Sequence, residues 1–92
     1  MSQYEVRLSS IAREGLKKLK QDEPKAFQKA RLLLHELSDH PRTGTGKPHQ
    51  LTGDRHGQWS RRISAKHRMV YEIEDAILTV LILASYGHYD DK

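Results

Sequence analysis

The sequence contains no cysteine and no long hydrophobic run. Without thiols the chain forms neither disulfides nor a thiolate site, which is typical of proteins of a reducing cytosol. The longest mostly apolar run, residues 77–84, is far shorter than the roughly 18 residues that a membrane-spanning helix requires. The N-terminal residues also lack the basic-then-apolar pattern of a signal peptide. We therefore expect a soluble, cytoplasmic protein with no membrane partner.

The length and composition are those of one small domain. The chain has 92 residues, of which 36% are hydrophobic and 30% are charged. A chain of this size buries only a thin core. We expect residues 1–92 to form a single domain of modest stability.

The positive charge is concentrated in the middle of the chain. The formal net charge is +4, but residues 41–70 contain seven lysines and arginines and a single acid, so this segment alone carries +6. A basic segment on a mildly acidic remainder favours a polyanionic partner, most simply nucleic acid. A solvated basic surface is equally compatible with the charge alone.

The hydrophobic pattern predicts an α+β fold, in the broad α/β class. The predicted elements are a strand over 3–8, a helix capped by Ser9 or Ser10 that runs to about Lys20, a helix that begins at Asp22-Glu23-Pro24 and ends at His40-Pro41, a loop over 42–54, strands over 57–64 and 68–73, a turn at Glu74-Asp75, and a strand over 77–83. We expect the two helices to form a hairpin on one face of a small antiparallel sheet, leaving the other face for a ligand. The last strand, almost wholly apolar, should be central and covered on both faces.

The chain has no phosphate-binding glycine loop, EF-hand or paired zinc-binding histidines, so we expect neither a metal site nor a cofactor.

RNA can be cut without a metal if one group takes the 2′-OH proton, cations hold the phosphorane and an acid protonates the leaving oxygen. Imidazole suits both proton transfers, and arginine suits the phosphorane. The residues with these properties are His49, Arg61, Arg62, His67, Arg68, His88 and Tyr89. Taken alone, they favour a plain RNA-binding module over a nuclease.

Four short motifs carry a more specific signal. They are Gly44–Leu51 (GTGKPHQL), Gly57–Ile63 (GQWSRRI), His67–Tyr71 (HRMVY) and Gly87–Tyr89 (GHY). In order, in spacing and in distance from the C-terminus, they resemble the YoeB (Txe) branch of the RelE-superfamily toxins, the toxin halves of bacterial toxin–antitoxin pairs.

The resemblance implies a compact RelE-like fold and a metal-independent endoribonuclease. Such toxins enter the A site of the 70S ribosome and cut mRNA there, or halt translation at initiation. The resemblance also implies a cognate antitoxin protein that wraps and inhibits the toxin.

Residue roles follow from the same resemblance. Arg68 matches the arginine that stabilises the transition state, His88 the proposed general acid, and Tyr89 the terminal aromatic residue beside it. Lys47, Arg61, Arg62 and Lys66 are then the candidates for binding RNA phosphates.

Two positions depart from the family pattern. His49 replaces the glutamate proposed as the general base, and Lys66 replaces an acid. A neutral His49 can still act as a base. Two alternatives stay open: a translation blocker that occupies the A site but cuts poorly, and a non-catalytic nucleic-acid-binding module.

The sequence also makes predictions about geometry and packing. A two-residue turn at Ala65-Lys66 would place Arg62 and Arg68 on opposite faces of the sheet. We therefore predict a bulge or longer loop near residues 64–67. Trp59 and Tyr71 should belong to the core. His67 should be structural or exposed, and the surface histidines should be His35, His40 and His56.

Overall fold

The computed structural model describes residues 3–87. Its elements in chain order are β1 (Glu5–Leu8), α1 (Ser10–Asp22), α2 (Pro24–Leu37), β2 (His49–Gln50), β3 (Trp59–Arg62), β4 (Arg68–Glu74) and β5 (Thr79–Ala84). Two short 3₁₀ turns, Gly53–Arg55 and Asp75–Ile77, lie in the connections. The predicted order of strand, two helices and strands is confirmed.

Local chemistry explains where the helices begin. The Ser9 hydroxyl caps α1 by accepting the backbone N–H of Ala12 at 3.0 Å. Pro24 occupies the first turn of α2, where its missing N–H and fixed φ are tolerated. The preceding Glu23 makes no capping hydrogen bond with its side chain.

The five strands form one mixed sheet in the order β1-β5-β4-β3-β2. The predicted antiparallel meander is confirmed for β3, β4 and β5. The structure adds two pairings that were not predicted. β2, which lies in the segment expected to be a loop, pairs antiparallel with β3. β1 pairs parallel with β5.

The last strand differs from its prediction in two respects. It starts at Thr79 because a 3₁₀ turn occupies Asp75–Ile77, and Ile77 is exposed. It does lie between two other strands, but its two faces differ. Val80 and Ile82 are buried, whereas Leu81 and Leu83 are only half-buried, so the helices cover one face.

The core lies between the helices and this covered face. Leu19, Leu33 and Leu37 pack there with Tyr71 and Ile82, all fully buried. Trp59 packs against the same cluster and stacks on Tyr71 with ring centroids 6.5 Å apart, so the core assignment of both aromatics is confirmed. Neither helix within residues 3–87 has the length and apolarity to cross a membrane.

Two adjacent leucines of α2 test this packing. Leu33 is fully buried, and Leu32 is 47% exposed. Leu33→Ala should lower the free energy of unfolding by about 2–5 kcal/mol because it leaves a cavity. Leu32→Ala should change it by less than about 0.5 kcal/mol. Urea denaturation of both variants checks this, and equal effects would contradict the core described here.

Candidate active site

The strand register brings three of the predicted site residues to one face of the sheet. Arg62 and Arg68 are directly opposite each other on β3 and β4, and His49 of β2 is opposite Ser60 of β3. Ser60 and Arg62 are two residues apart, and directly paired residues share a face. All four side chains therefore project from the face away from the helices, which we call the far face.

A bulge in the β3–β4 connection produces this arrangement. The backbone N–H groups of Ile63 and Ser64 both donate to the carbonyl of His67, at 3.0 and 3.2 Å. Two residues of one strand thus oppose one residue of the other. The predicted irregularity near residues 64–67 is confirmed, and it places Arg62 and Arg68 on the same face.

The far face is only partly exposed. Ser60 and Val70 are buried, but Arg62 is exposed and Arg68 is partly exposed. Lys66, in the β3–β4 connection, is exposed next to them in the chain. Arg62, Arg68 and Lys66 therefore form an accessible cationic cluster at one end of the far face.

The loop before β2 needs both of its glycines. Gly44 and Gly46 have φ values of +118° and +87°, a region that side chains disfavour. A Cβ on Gly44 would lie 2.5 Å from Glu36 Oε1, and one on Gly46 would lie 2.9 Å from the Arg62 carbonyl. The Arg62 N–H donates to the Gly46 carbonyl at 2.7 Å. The loop is thereby held against β3 at the residue that precedes the exposed Lys47.

Arg61 belongs to the core and not to the RNA-contacting surface for which it was predicted. Its side chain is fully buried. Its guanidinium donates to Glu36 Oε1 at 3.0 Å and to Tyr71 Oη at 3.1 Å. It also donates to three backbone carbonyls, those of His40, Thr43 and Thr45. With its donors engaged inside the protein, Arg61 cannot reach a phosphate.

The two side chains that accept hydrogen bonds from Arg61 have pKa values that differ from their ordinary ones. Burial raises the pKa of Glu36, but hydrogen bonds from Thr45 and Arg61 outweigh burial, and the net pKa lies below its ordinary value. Burial raises the pKa of Tyr71 despite the hydrogen bond from Arg61. Glu36 is thus held as a carboxylate and Tyr71 as a neutral phenol, which donates onward to the Pro41 carbonyl at 2.8 Å.

His49 has a geometry suited to a base. Its Nδ1 lies 3.1 Å from the Lys47 carbonyl. A carbonyl only accepts, so this contact assigns the ring proton to Nδ1 in the neutral form. The lone pair is then on Nε2, the state that a general base requires.

Arg68 lies where the chain returns after β5. Its guanidinium donates to the Ser64 carbonyl at 3.1 Å, and its backbone N–H donates to the Gly87 carbonyl at 2.9 Å. His88 and Tyr89, the predicted acid and its aromatic neighbour, lie outside the described residues.

His67 has the structural role that the sequence allowed. It is buried, with Nε2 2.6 Å from Glu23 Oε2 and Nδ1 2.8 Å from the Gly87 amide nitrogen. Sequence reasoning placed Glu23 only at the start of the second helix and missed this contact. The three histidines expected at the surface, His35, His40 and His56, are exposed.

Other charged groups have local partners. Arg42, part of the basic segment, pairs with Asp75 at 2.7 Å. Within residues 3–87, no cluster of three or more metal-ligating histidine or acidic side chains is present.

Comparison with known proteins identifies the class. The chain has the same fold as the YoeB/ParE toxin from Agrobacterium tumefaciens, with a TM-score of 0.85 at 27% identity over 92% of this chain and 99% of that one. The YoeB–YefM complex from Staphylococcus aureus contains a similar chain, with a TM-score of 0.79 at 31% identity over 94% of this chain and 98% of that one. The fold is thus that of small bacterial toxins.

Sequence comparison narrows the class to one family. The family model of the YoeB-like toxins of bacterial type II toxin–antitoxin systems matches residues 9–89. Toxin YoeB of Synechocystis sp. is 39% identical over 69 residues, which span 75% of this chain and 78% of the relative. The chain belongs to the YoeB-like toxin family.

Neighbouring arginines of β3 provide a matched pair for testing the buried site. Arg61→Met should cost about 3–5 kcal/mol of unfolding free energy, because it leaves a partly buried carboxylate and several carbonyls without their donor. Arg62→Met, on the exposed side of the same strand, should change stability by less than about 0.5 kcal/mol. Urea denaturation measures both. An Arg61→Met protein as stable as Arg62→Met would refute the structural role of Arg61.

Proposed function

We propose that this toxin is a ribosome-dependent endoribonuclease that cuts mRNA in the A site by a metal-independent mechanism. The observation that supports it most is the register of β2, β3 and β4. It sets Arg62 opposite Arg68 and brings His49 to the same face, opposite Ser60, two residues from Arg62 along β3. A base and two permanent cations on one face supply two of the three functions that RNA transesterification needs, and the third is an acid for the leaving oxygen.

In the proposed mechanism, His49 Nε2 takes the proton of the 2′-OH. The resulting oxyanion attacks the adjacent phosphorus, and Arg68, assisted by Arg62, stabilises the charge that develops on the phosphorane oxygens. His88 gives a proton to the 5′-oxygen as its bond to phosphorus breaks. The products are a 2′,3′-cyclic phosphate and a 5′-hydroxyl. Tyr89 positions the substrate.

The remaining cations bind RNA without taking part in proton transfer. Lys47 and Lys66 are exposed and flank the Arg62–Arg68 pair in the two adjoining loops. Each contributes a sequence-independent attraction to phosphates of mRNA or ribosomal RNA. Arg61 has no part in this surface.

The partners follow from the family. A YoeB from S. aureus has been solved as a YoeB–YefM complex, with 31% identity to this chain. We propose that a cognate antitoxin binds this toxin in the same general way, in the cytoplasm where ribosomes and mRNA are found.

Primer extension on a defined mRNA tests the activity. With programmed 70S ribosomes, the wild-type protein should create a new 5′ end within the A-site codon. His88→Ala should lower the single-turnover rate on the order of 100- to 10,000-fold, because the leaving oxygen loses its acid. Arg68→Ala should also impair cutting. Arg7→Ala, which removes the same charge from the opposite edge strand, is the control and should cut normally.

Other outcomes distinguish the alternatives. Extension stops at the ribosome edge, without cut RNA, would show an A-site blocker. No effect of folded, antitoxin-free protein would indicate a non-catalytic nucleic-acid-binding module. Cutting of naked mRNA at the same sites would contradict ribosome dependence.

The histidine at position 49 gives a separate prediction. His49→Glu installs the acid that the family pattern has there. It should retain cutting and shift the acidic limb of the pH–rate profile downward, because carboxylates titrate about two pH units below imidazoles. His49→Gln should lose cutting, since an amide cannot take the proton. Equal rates and an unchanged profile in all three proteins would exclude residue 49 as the base.

A further inference from the structure

A chain of hydrogen bonds connects the start of α2 to the segment that follows β5. It is formed by Glu23, His67 and Gly87, which the proposed chemistry does not use. His67 is 3% exposed, and its two ring nitrogens contact Glu23 and the Gly87 amide, at 2.6 and 2.8 Å. The Gly87 carbonyl accepts the N–H of Arg68 at 2.9 Å. Gly87 is therefore held through both its N–H and its carbonyl, one residue before His88 in the sequence.

The partners fix the protonation of His67. A backbone N–H only donates, so Nδ1 must accept the Gly87 N–H and carry no proton. The ring proton is then on Nε2 and is donated to Glu23. The hydrogen bond from His67 outweighs burial and lowers the pKa of Glu23 below its ordinary value, so the acceptor is an ionised carboxylate. The imidazole is neutral, in a single tautomer.

We propose that Glu23, His67 and Gly87 form a positioning relay for the C-terminal catalytic residues. Glu23 fixes the tautomer of His67, and His67 Nδ1 fixes the backbone from which His88 follows. The inference rests on the proposed function, because His88 is the acid of that mechanism. Glu23 and His67 are positioning residues, since neither belongs to the cationic far face.

The position of Gly87 gives the relay its importance. β5 ends at Ala84, so the strand ladder no longer holds the chain beyond that point. The bonds to His67 and Arg68 replace it and link Gly87 directly to the start of β4. A misplacement of about 1 Å in a catalytic group costs on the order of 100-fold in rate. Release of Gly87, the residue that precedes the acid in the sequence, should therefore slow proton transfer.

The surroundings make the anchor dependent on a neutral His67. Its ring packs against Tyr86 with centroids 4.4 Å apart, and Lys18 lies 5.3 Å from the centre of the Tyr86 ring. Lys66 also acts on Glu23 and helps lower its pKa. A second proton on the His67 ring would sit on Nδ1 and face the Gly87 N–H, so two donors would oppose each other.

Two substitutions of His67 separate its contact with Glu23 from its contact with Gly87. His67→Asn keeps an acceptor near the Nδ1 position and loses the contact with Glu23. His67→Gln keeps a donor toward Glu23 and loses the acceptor for Gly87. We expect faster hydrogen exchange of the Gly87 amide in His67→Gln, with single-turnover cutting reduced on the order of 100-fold. His67→Asn should stay closer to wild type in both, and ribosome binding should be unchanged in both.

The ring itself gives a readout that needs no activity. In wild-type protein, ¹⁵N shifts of His67 should show an unprotonated Nδ1 and a protonated Nε2. Glu23→Ala removes a partly exposed partner, and it serves as the second variant if His67→Gln does not fold. It should mix the tautomers and speed exchange at Gly87.

Several results would overturn the relay. These are the opposite tautomer in wild type, Gly87 exchange unaffected by the substitutions, or full cutting activity when Gly87 has been loosened. A wild-type protein that fails to cut would contradict the proposed function instead. In that case the exchange and ¹⁵N measurements still decide whether His67 holds Gly87.

Discussion

The buried guanidinium of Arg61 is the interaction on which the site depends. A charge removed from water in so small a core is costly unless hydrogen bonds replace its hydration. Here a carboxylate, a phenol and three backbone carbonyls do so, and they come from α2, β4 and the chain between α2 and β2. Glu36 also accepts the Thr45 amide and hydroxyl, at 2.8 and 2.6 Å. One side chain thereby fixes the loop that leads to Lys47 and His49.

The burial of Arg61 also decides the direction of its neighbours. Side chains alternate along a strand, so an inward Arg61 requires an outward Arg62. The same alternation would put Arg68 on the inner face if β3 and β4 were joined by a two-residue turn, and the bulge at Ile63 and Ser64 corrects this. The adjacent arginines of one motif thus perform different tasks, and a single backbone irregularity pairs the outer arginine with Arg68.

Much of the fold follows from local sequence pattern, whereas most of the fine geometry does not. Helical periodicity, Pro24 and β-branched runs were sufficient for both helices and the three-strand meander. The two-residue β2 has no periodicity to detect, and the parallel pairing of β1 with β5 is set by tertiary packing. Arg61 was misassigned because composition cannot tell an inward arginine from an outward one. The partner of Glu23 lies 44 residues away at His67, and no local signal could reveal it.

Some cations of the basic segment pair with acids of the same chain, and others face solvent. Arg61 is paired with Glu36 in the core, and Arg42 is paired with Asp75 at the surface. Arg62 and Arg68 are placed directly opposite each other, where like charges oppose strand pairing. An anion between them would turn that repulsion into attraction to a common partner. In the proposed function, a phosphate bound between the two guanidinium groups would remove the electrostatic cost that the unbound sheet carries.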